Sequence, residues 1–317
     1  MSGGTMNEIK TLLDAVKYFS DLDACHHYMV GIKWPDGKVA CPKCGCENVG
    51  YIASRRMLQC KSTECRKQFS AKVGTIFEDS PLGLDKWFVA VWCIANAKNG
   101  VSSCELARSI GVTQKTAWHM LHRIRVAMET STFKKLNGEV ESDETFIGGA
   151  GQNQHKRKFK GRGAVGKSII HGLLQRDGDF RGAVVADTTK ETLCLAVKSN
   201  VEAGATVYTD AAASYTSLEQ TYIHAVVDHA KQYVLGNIHT NGLENFWSLL
   251  KRTLGGTYVQ VAPFHLFRYL AEQTFRYNKR KLSDAQRFQW VMLSVLGKRL
   301  TWRQLTAEDC CGFMGIK

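Results

Sequence analysis

At 317 residues and 44% hydrophobic side chains, the chain holds enough apolar material for a sizeable core and one or two small modules, which excludes a disordered polypeptide. Forty-two Lys and Arg against 29 Asp and Glu leave a formal charge of +13. That favours a polyanionic partner through phosphate neutralisation and counterion release, with nucleic acid the first candidate. The longest apolar run, residues 87–97, is far short of the ~18 residues a membrane span needs, so no membrane partner is expected. The N-terminal MSGGTMNEIK lacks the basic start and apolar stretch of a secretory signal, which points to the cytoplasm, where thiols stay reduced.

After a helical lead (1–36), residues 37–72 read as a zinc ribbon. Eleven cysteines are an odd number for a disulfide framework, and Cys93, Cys104 and Cys194 sit in apolar or helical segments as small hydrophobes. Cys41-Pro-Lys-Cys44-Gly, however, places two thiolates on one tight turn, and Cys60 and Cys65 form a second, polar pair. Four such soft ligands suit a structural, tetrahedral Zn²⁺. So short a segment buries too little core to fold alone, and zinc binding contributes folding free energy directly. Cys46 lies close enough to compete with Cys44 as a ligand.

Residues 80–130 carry the grammar of a helix-turn-helix. A first helix over 84–98 has apolar residues at helical spacing and stops at Asn99-Gly100. Ser102 with Glu105 forms a capping box for a short helix ending at Ile110, Gly111 supplies the turn, and Thr113 caps a helix running to Met128. In such a motif the start of the second helix faces the major groove, which selects Gln114, Lys115, Thr116 and His119 as DNA contacts.

Residues 136–280 hold an acidic constellation. The segment 139–147 reads as a strand with Glu141, Asp143 and Thr145 on one face and Val140 and Phe146 on the other. Two further strands, 168–174 and 180–186, are joined by the turn Arg176-Asp177-Gly178-Asp179, and a helix follows over 189–200. A strand over 206–209 presents Asp210 at its end, and another covers 222–227. The helix starting near His239 has Leu243, Phe246, Trp247 and Leu250 on an apolar stripe, with Asn241, Glu244, Ser248 and Lys251 on a polar face. Carboxylates from two strands and a helix can converge on a pair of divalent cations, the arrangement that clamps attacking and leaving oxygens in phosphoryl chemistry. Strand parity permits Glu141 as an alternative ligand and disfavours Glu144. His239 and Asn241 stand close enough to support Glu244, and helix capping by Thr240 or Asn241 accounts for them as well.

Gly161 to Ser168 matches the P-loop pattern GxxxxGK[ST], but it follows a basic stretch and leads into a β-like segment rather than opening a helix. Residues 155–167 therefore read as a basic loop able to contact phosphate. A helical tail (281–317) closes the chain.

SDETFIGG, YTDAAASY and HTNGLENFWSLLKR resemble three successive motifs of the DDE transposases of bacterial insertion sequences. WPDGKVACPKCG, CRKQFSAKVGTIFEDSPL, GVTQKTAWHMLHRIR and RYNKRK extend the resemblance over nearly the whole chain, to the ISXO-two-like members of insertion-sequence family fifteen ninety-five, which carry a zinc ribbon in front. The wider Cys60 to Cys65 gap departs from that group's usual two-residue spacing. The resemblance implies an α/β protein whose ribonuclease-H-like catalytic core follows the zinc ribbon and the helix-turn-helix. It implies Asp143, Asp210 and Glu244 as the catalytic, metal-holding triad with Mg²⁺ or Mn²⁺, and Lys251 as a contact to terminal DNA. The implied activity is binding of double-stranded element ends, cleavage at their 3′ ends and strand transfer to target DNA. Handling two ends together calls for a homo-oligomer, and the setting is a bacterial, nucleoid-associated one. The rival expectation is a non-catalytic zinc-ribbon and helix-turn-helix regulator that binds DNA without cutting it.

Overall fold

A computed structural model describes residues 9–129, 134–148, 166–210, 215, 218, 221–227 and 239–307. Residues 155–165 of the basic loop and the residues 211–214 after Asp210 lie outside the described residues. The chain divides into two compact units, one formed by residues 1–129 with 281–317 and the other by 130–280.

In the first unit, α1 (Leu12–Phe19) opens with a capping box between Thr11 and Asp14, and α2 (Leu22–Lys33) is capped by Asp21. A three-stranded antiparallel sheet follows: β1 (Val49–Ile52), β2 (Met57–Cys60) and β3 (Gln68–Phe69). Next come α3 (Leu84–Asn96), α4 (Ser103–Ile110) and α5 (Gln114–Met128). Gly111 ends α4 at φ +64, a left-handed conformation that glycine adopts without Cβ strain, and Thr113 caps α5 through the Thr116 amide. The α3 face built from Trp87, Phe88, Val91 and Trp92 is buried. It meets residues from far along the chain. Phe288, on α9 (Asp284–Leu293), stands with its ring centroid 5.5 Å from Trp92 and 5.4 Å from Phe19.

The second unit is built on a five-stranded sheet in which β4 (Glu139–Ile147) is central. On one side β5 (Ser168–Gln175) and β6 (Phe180–Val185) continue antiparallel; on the other β7 (Thr206–Asp210) and β8 (Ile223–Val227) run parallel to β4. This strand order and polarity is that of a ribonuclease-H-like core. Alternation sends neighbouring residues to opposite faces. Val140, Leu173 and Val207 pack beneath α6 (Lys190–Asn200) with Leu193 and Val197. Ile170 and Leu174 pack instead against α7 (Asn241–Thr253) and α8 (Leu266–Asn278), through Leu243, Phe246, Trp247, Leu250 and Leu270. Phe180 and Phe246 stack with centroids 3.6 Å apart, fixing α7 on the sheet. Among the described residues no helix is long and apolar enough to cross a membrane.

Candidate active site and metal centre

The zinc-ribbon ligands converge as the spacing anticipates. Cys41 and Cys44 come from the turn before β1, Cys60 ends β2 and Cys65 follows it, and the donor sulfurs of all four lie within 4.8 Å of one another. Cys41 Sγ is 3.7 Å from Cys65 Sγ and Cys44 Sγ is 3.6 Å from Cys60 Sγ. A tetrahedron with Zn–S bonds of ~2.3 Å has edges of about 3.8 Å, so the set fits zinc, whereas a disulfide needs ~2.05 Å. Cys44, not Cys46, supplies the fourth sulfur. Cys46 packs at the edge of the small core formed by Cys41, Leu58, Cys60 and Phe69, and its carbonyl accepts from the Cys41 amide. The five-residue step from Cys60 to Cys65 closes because Arg66 takes a left-handed turn at φ 44 while the Cys65 and Arg66 amides bond back to the Ser62 carbonyl.

The carboxylate site lies on the α7 face of the large sheet. Cross-strand register places Asp143 opposite Gly172 and Glu141 opposite Leu174 and Tyr208, so Asp143, Glu141, Tyr208 and Asp210 share that face. An open cleft there is lined by Asp143, Glu144, Thr145, Glu244, Trp247, Ser248 and Lys251. Spacing of three and four residues along α7 puts Glu244, Ser248 and Lys251 on its exposed side.

Two features hold Asp143. Its Oδ1 accepts from the Glu144 amide at 2.8 Å, and its Oδ2 accepts from the Trp247 indole N–H at 2.9 Å. The indole reaches it because residue 172 has no side chain: a Cβ there would stand 2.6 Å from the Trp247 ring and 2.9 Å from Phe180. Burial pushes the Asp143 carboxyl above its ordinary range, against the pull of those two hydrogen bonds, and the charges of Asp210 and Glu244 push it further. The three acids therefore share one electrostatic site. Among the described residues their oxygens do not form a preassembled cluster of the kind the cysteines make.

Glu144 points to the opposite face from Asp143, as parity requires, yet it reaches the cleft rim. It accepts from the Tyr215 hydroxyl, and burial, reinforced by Asp143 and Asp210, pushes it up to about 7. Behind it the buried Ser142 hydroxyl donates to Tyr215 Oη at 3.2 Å and stands 3.0 Å from His171 Nε2. Glu141 is 1% exposed and lines no part of the cleft. Thr240 makes no side-chain cap for α7; Glu141 Oε2 accepts from the Leu243 amide at 2.9 Å instead.

The residues expected to contact DNA from the start of α5 sit in the other unit. Gln114 and Lys115 are exposed, with Gln114 Nε2 donating to Ser103 Oγ, and Thr116 closes the cap of α5. The short α10 (Trp302–Thr306) covers part of this surface. The Lys115 ammonium lies 4.7 Å over the Trp302 ring and the His119 ring is 5.4 Å from it. Of the P-loop match, only residues 166–168 are described, and Ser168 opens a strand rather than a helix.

Sequence reasoning missed Trp247, Tyr215 and Arg176. The ladder could have exposed the first, since a glycine opposite Asp143 leaves room for one large side chain. The others carry no local signal.

Comparison with known proteins accords with this geometry. Residues 135–278 match the family model described as the ISXO2-like transposase domain, and residues 20–68 match the transposase zinc-ribbon domain. Together they take in more than half of the chain. The chain belongs to the ISXO2-like DDE transposases with an N-terminal zinc ribbon. An uncharacterized protein in transposable element ISH50 of Halobacterium salinarum is 28% identical over 282 residues, covering 82% of this transposase and 94% of that relative. An uncharacterized transposase-like protein of Haemophilus influenzae is 28% identical over 102 residues, covering 32% of this chain and 82% of its own. Among solved structures, a pre-cleavage Mos1 transpososome aligns with a TM-score of 0.25 at 13% identity, over 67% of this chain and 79% of that one. A simian T-cell lymphotropic virus intasome in complex with the PP2A regulatory subunit B56 gamma aligns with a TM-score of 0.28 at 14% identity, over 58% of this chain and 65%, just under two thirds, of that one.

Proposed function

We propose that this transposase binds the double-stranded ends of its element, cleaves them at their 3′ ends and joins those ends to target DNA. Asp143, Asp210 and Glu244 act as holders of Mg²⁺ or Mn²⁺. The observation that carries the reading is the shared field of the three acids beside an open cleft: burial and two neighbouring charges raise the Asp143 carboxyl, a cost that a bound cation relieves. The donor set is all oxygen, which suits a hard cation, and two ions ~3.5–4 Å apart need a wider cage than one zinc. When bound, such ions supply Lewis acidity to the attacking hydroxyl and the departing 3′-oxygen.

The chain's own residues orient and balance charge. Trp247 fixes one Asp143 oxygen and the Glu144 amide the other, so the carboxylate is held in one orientation in the cleft wall. Burial and the charges of Asp143 and Asp210 push Glu144 up to about 7, so before metal binds it carries less than a full extra charge beside Asp143 at neutral pH. The exposed Lys251, two turns beyond Glu244, contacts terminal DNA phosphate. Gln114 and Lys115 at the start of α5, with Thr116 and His119 behind them, read the end sequence in the major groove. A homo-oligomer brings two ends together.

The test is cleavage and joining of labelled element-end DNA with Mg²⁺. The expected outcome is free 3′-hydroxyl ends and joined products from the native protein and neither from Asp210→Asn or Glu244→Gln. Tight end binding without cleavage under any divalent metal would give the role to a non-catalytic regulator.

A further inference from the structure

The turn between β5 and β6 carries an arginine that the cleft chemistry leaves unused. Arg176 Nε is 3.3 Å from Glu141 Oε1, its Nη1 is 3.4 Å from Glu139 Oε2, and its Nη2 donates to the His239 carbonyl at 3.0 Å. The guanidinium lies 4.2 Å over the Tyr208 ring, and the Tyr208 hydroxyl donates to Glu139 Oε1 at 2.6 Å. Glu141 in turn takes the Leu243 amide at the first turn of α7, with His239 Nδ1 3.5 Å from its other oxygen. The cluster thus touches β4 two residues before Asp143, β7 two residues before Asp210, and α7 one residue before Glu244.

We propose that Arg176 and Glu141 are positioning residues of the metal site, a brace that sets the spacing of the three carboxylates; this rests on the metal-holding role assigned to them above. Three points support it. Glu141 is a buried acid outside the cleft, and a buried ion pair is a poor source of stability compared with an apolar packing of the same volume, whereas it specifies geometry. Its carboxylate also stands where a helix would ordinarily provide its own cap, so the α7 N-terminus, with its unpaired amides, is anchored to the strand that bears Asp143. Finally, the helix has yielded a side chain to it: a Cβ on Gly242 would lie 2.7 Å from Glu141 Oε2 and 2.6 Å from Leu174 Cδ2.

The experiment uses the full-length chain and compares Glu141→Gln, Arg176→Lys and Gly242→Ala with the native protein. Three readings are taken: Mn²⁺ binding by electron paramagnetic resonance without DNA, amide exchange across 239–247, and cleavage rate against Mg²⁺ concentration. Glu141→Gln keeps shape and an acceptor for Leu243, so it folds. The account expects half-saturating Mn²⁺ and Mg²⁺ to rise by ~10–100-fold in each variant, the range seen for outer partners of metal ligands, with faster exchange at the start of α7 and unchanged end binding in chelator. Variants that lose melting temperature while both metal curves stay native would make the cluster merely structural and overturn the proposal. If the native protein neither binds Mn²⁺ nor cuts DNA, the function proposed above fails and the brace falls with it, having no metal site to set. If the native protein binds Mn²⁺ and the variants keep its metal curves, the brace alone is overturned.

Discussion

The zinc ribbon and the proposed carboxylate site of this transposase are built on opposite terms. The cysteines arrive within twenty-five residues of one another on tight turns of a small sheet, and their sulfurs already stand within 4.8 Å of one another. The carboxylates come from β4, β7 and α7, over a hundred residues of chain, and repel one another beside an open cleft. A structural site is closed and contributes folding free energy; a catalytic site keeps room for substrate and is maintained at a cost in stability. Removing a ligand should therefore have opposite consequences at the two sites.

The largest effect belongs to the ribbon. Cys60→Ala, or prolonged chelation at neutral pH, should release zinc and unfold residues 37–72, since apparent zinc contributions in small domains are ~10–16 kcal/mol. Near-complete loss of ribbon amide protection, with one zinc lost per chain by atomic absorption, is the expected result. Next comes Asp210→Asn. It should remove cleavage well beyond the ~100-fold typical of outer partners, and yet raise the melting temperature, because Asp143 and Glu144 lose a repelling neighbour. A variant that is both inactive and destabilised would break the contrast. Trp247→Phe keeps an aromatic ring over Gly172 and deletes only the N–H bonded to Asp143. Cleavage should fall ~10–100-fold, with a higher Mg²⁺ requirement and little change in melting.

The smallest effect is a dependence on acid. Burial holds His171 at about 4 against an ordinary 6.5, so the folded state disfavours its charged form. That contribution is complete above pH 6.5 and is lost as pH falls toward 4, amounting to about 3 kcal/mol. Glu144, pushed up to about 7, works in the opposite sense over nearly the same window, so the effect is read as a difference: His171→Gln should gain melting temperature relative to the native protein as pH drops from 6.5 toward 4.

Local chemistry carried much of this fold into view. Ser102, Gly111 and Thr113 mark helix boundaries because caps satisfy backbone groups within three residues, and the strand over 139–147 is visible in its alternation and its closing glycine. The choice of Cys44 over Cys46 was not legible, since it depends on where the chain turns in three dimensions. Nor was the role of Glu141, whose partners Arg176 and Leu243 are 35 and 102 residues away. Strand parity spoke for Glu141 as an alternative ligand and against Glu144. Parity fixes the face, but burial and partners decide use: Glu141 is consumed in capping α7, while Glu144 reaches the rim from the far face. Phe288 likewise looks like any amphipathic residue until α9 is seen against α3.

The central claim, that Asp143, Asp210 and Glu244 together hold divalent metal, is tested most directly by anomalous diffraction from crystals of the protein soaked in Mn²⁺. The account predicts manganese density bounded by those three side chains and absent in Asp210→Asn crystals treated alike. Density that avoids the triad at saturating Mn²⁺, with element-end DNA bound, would contradict it.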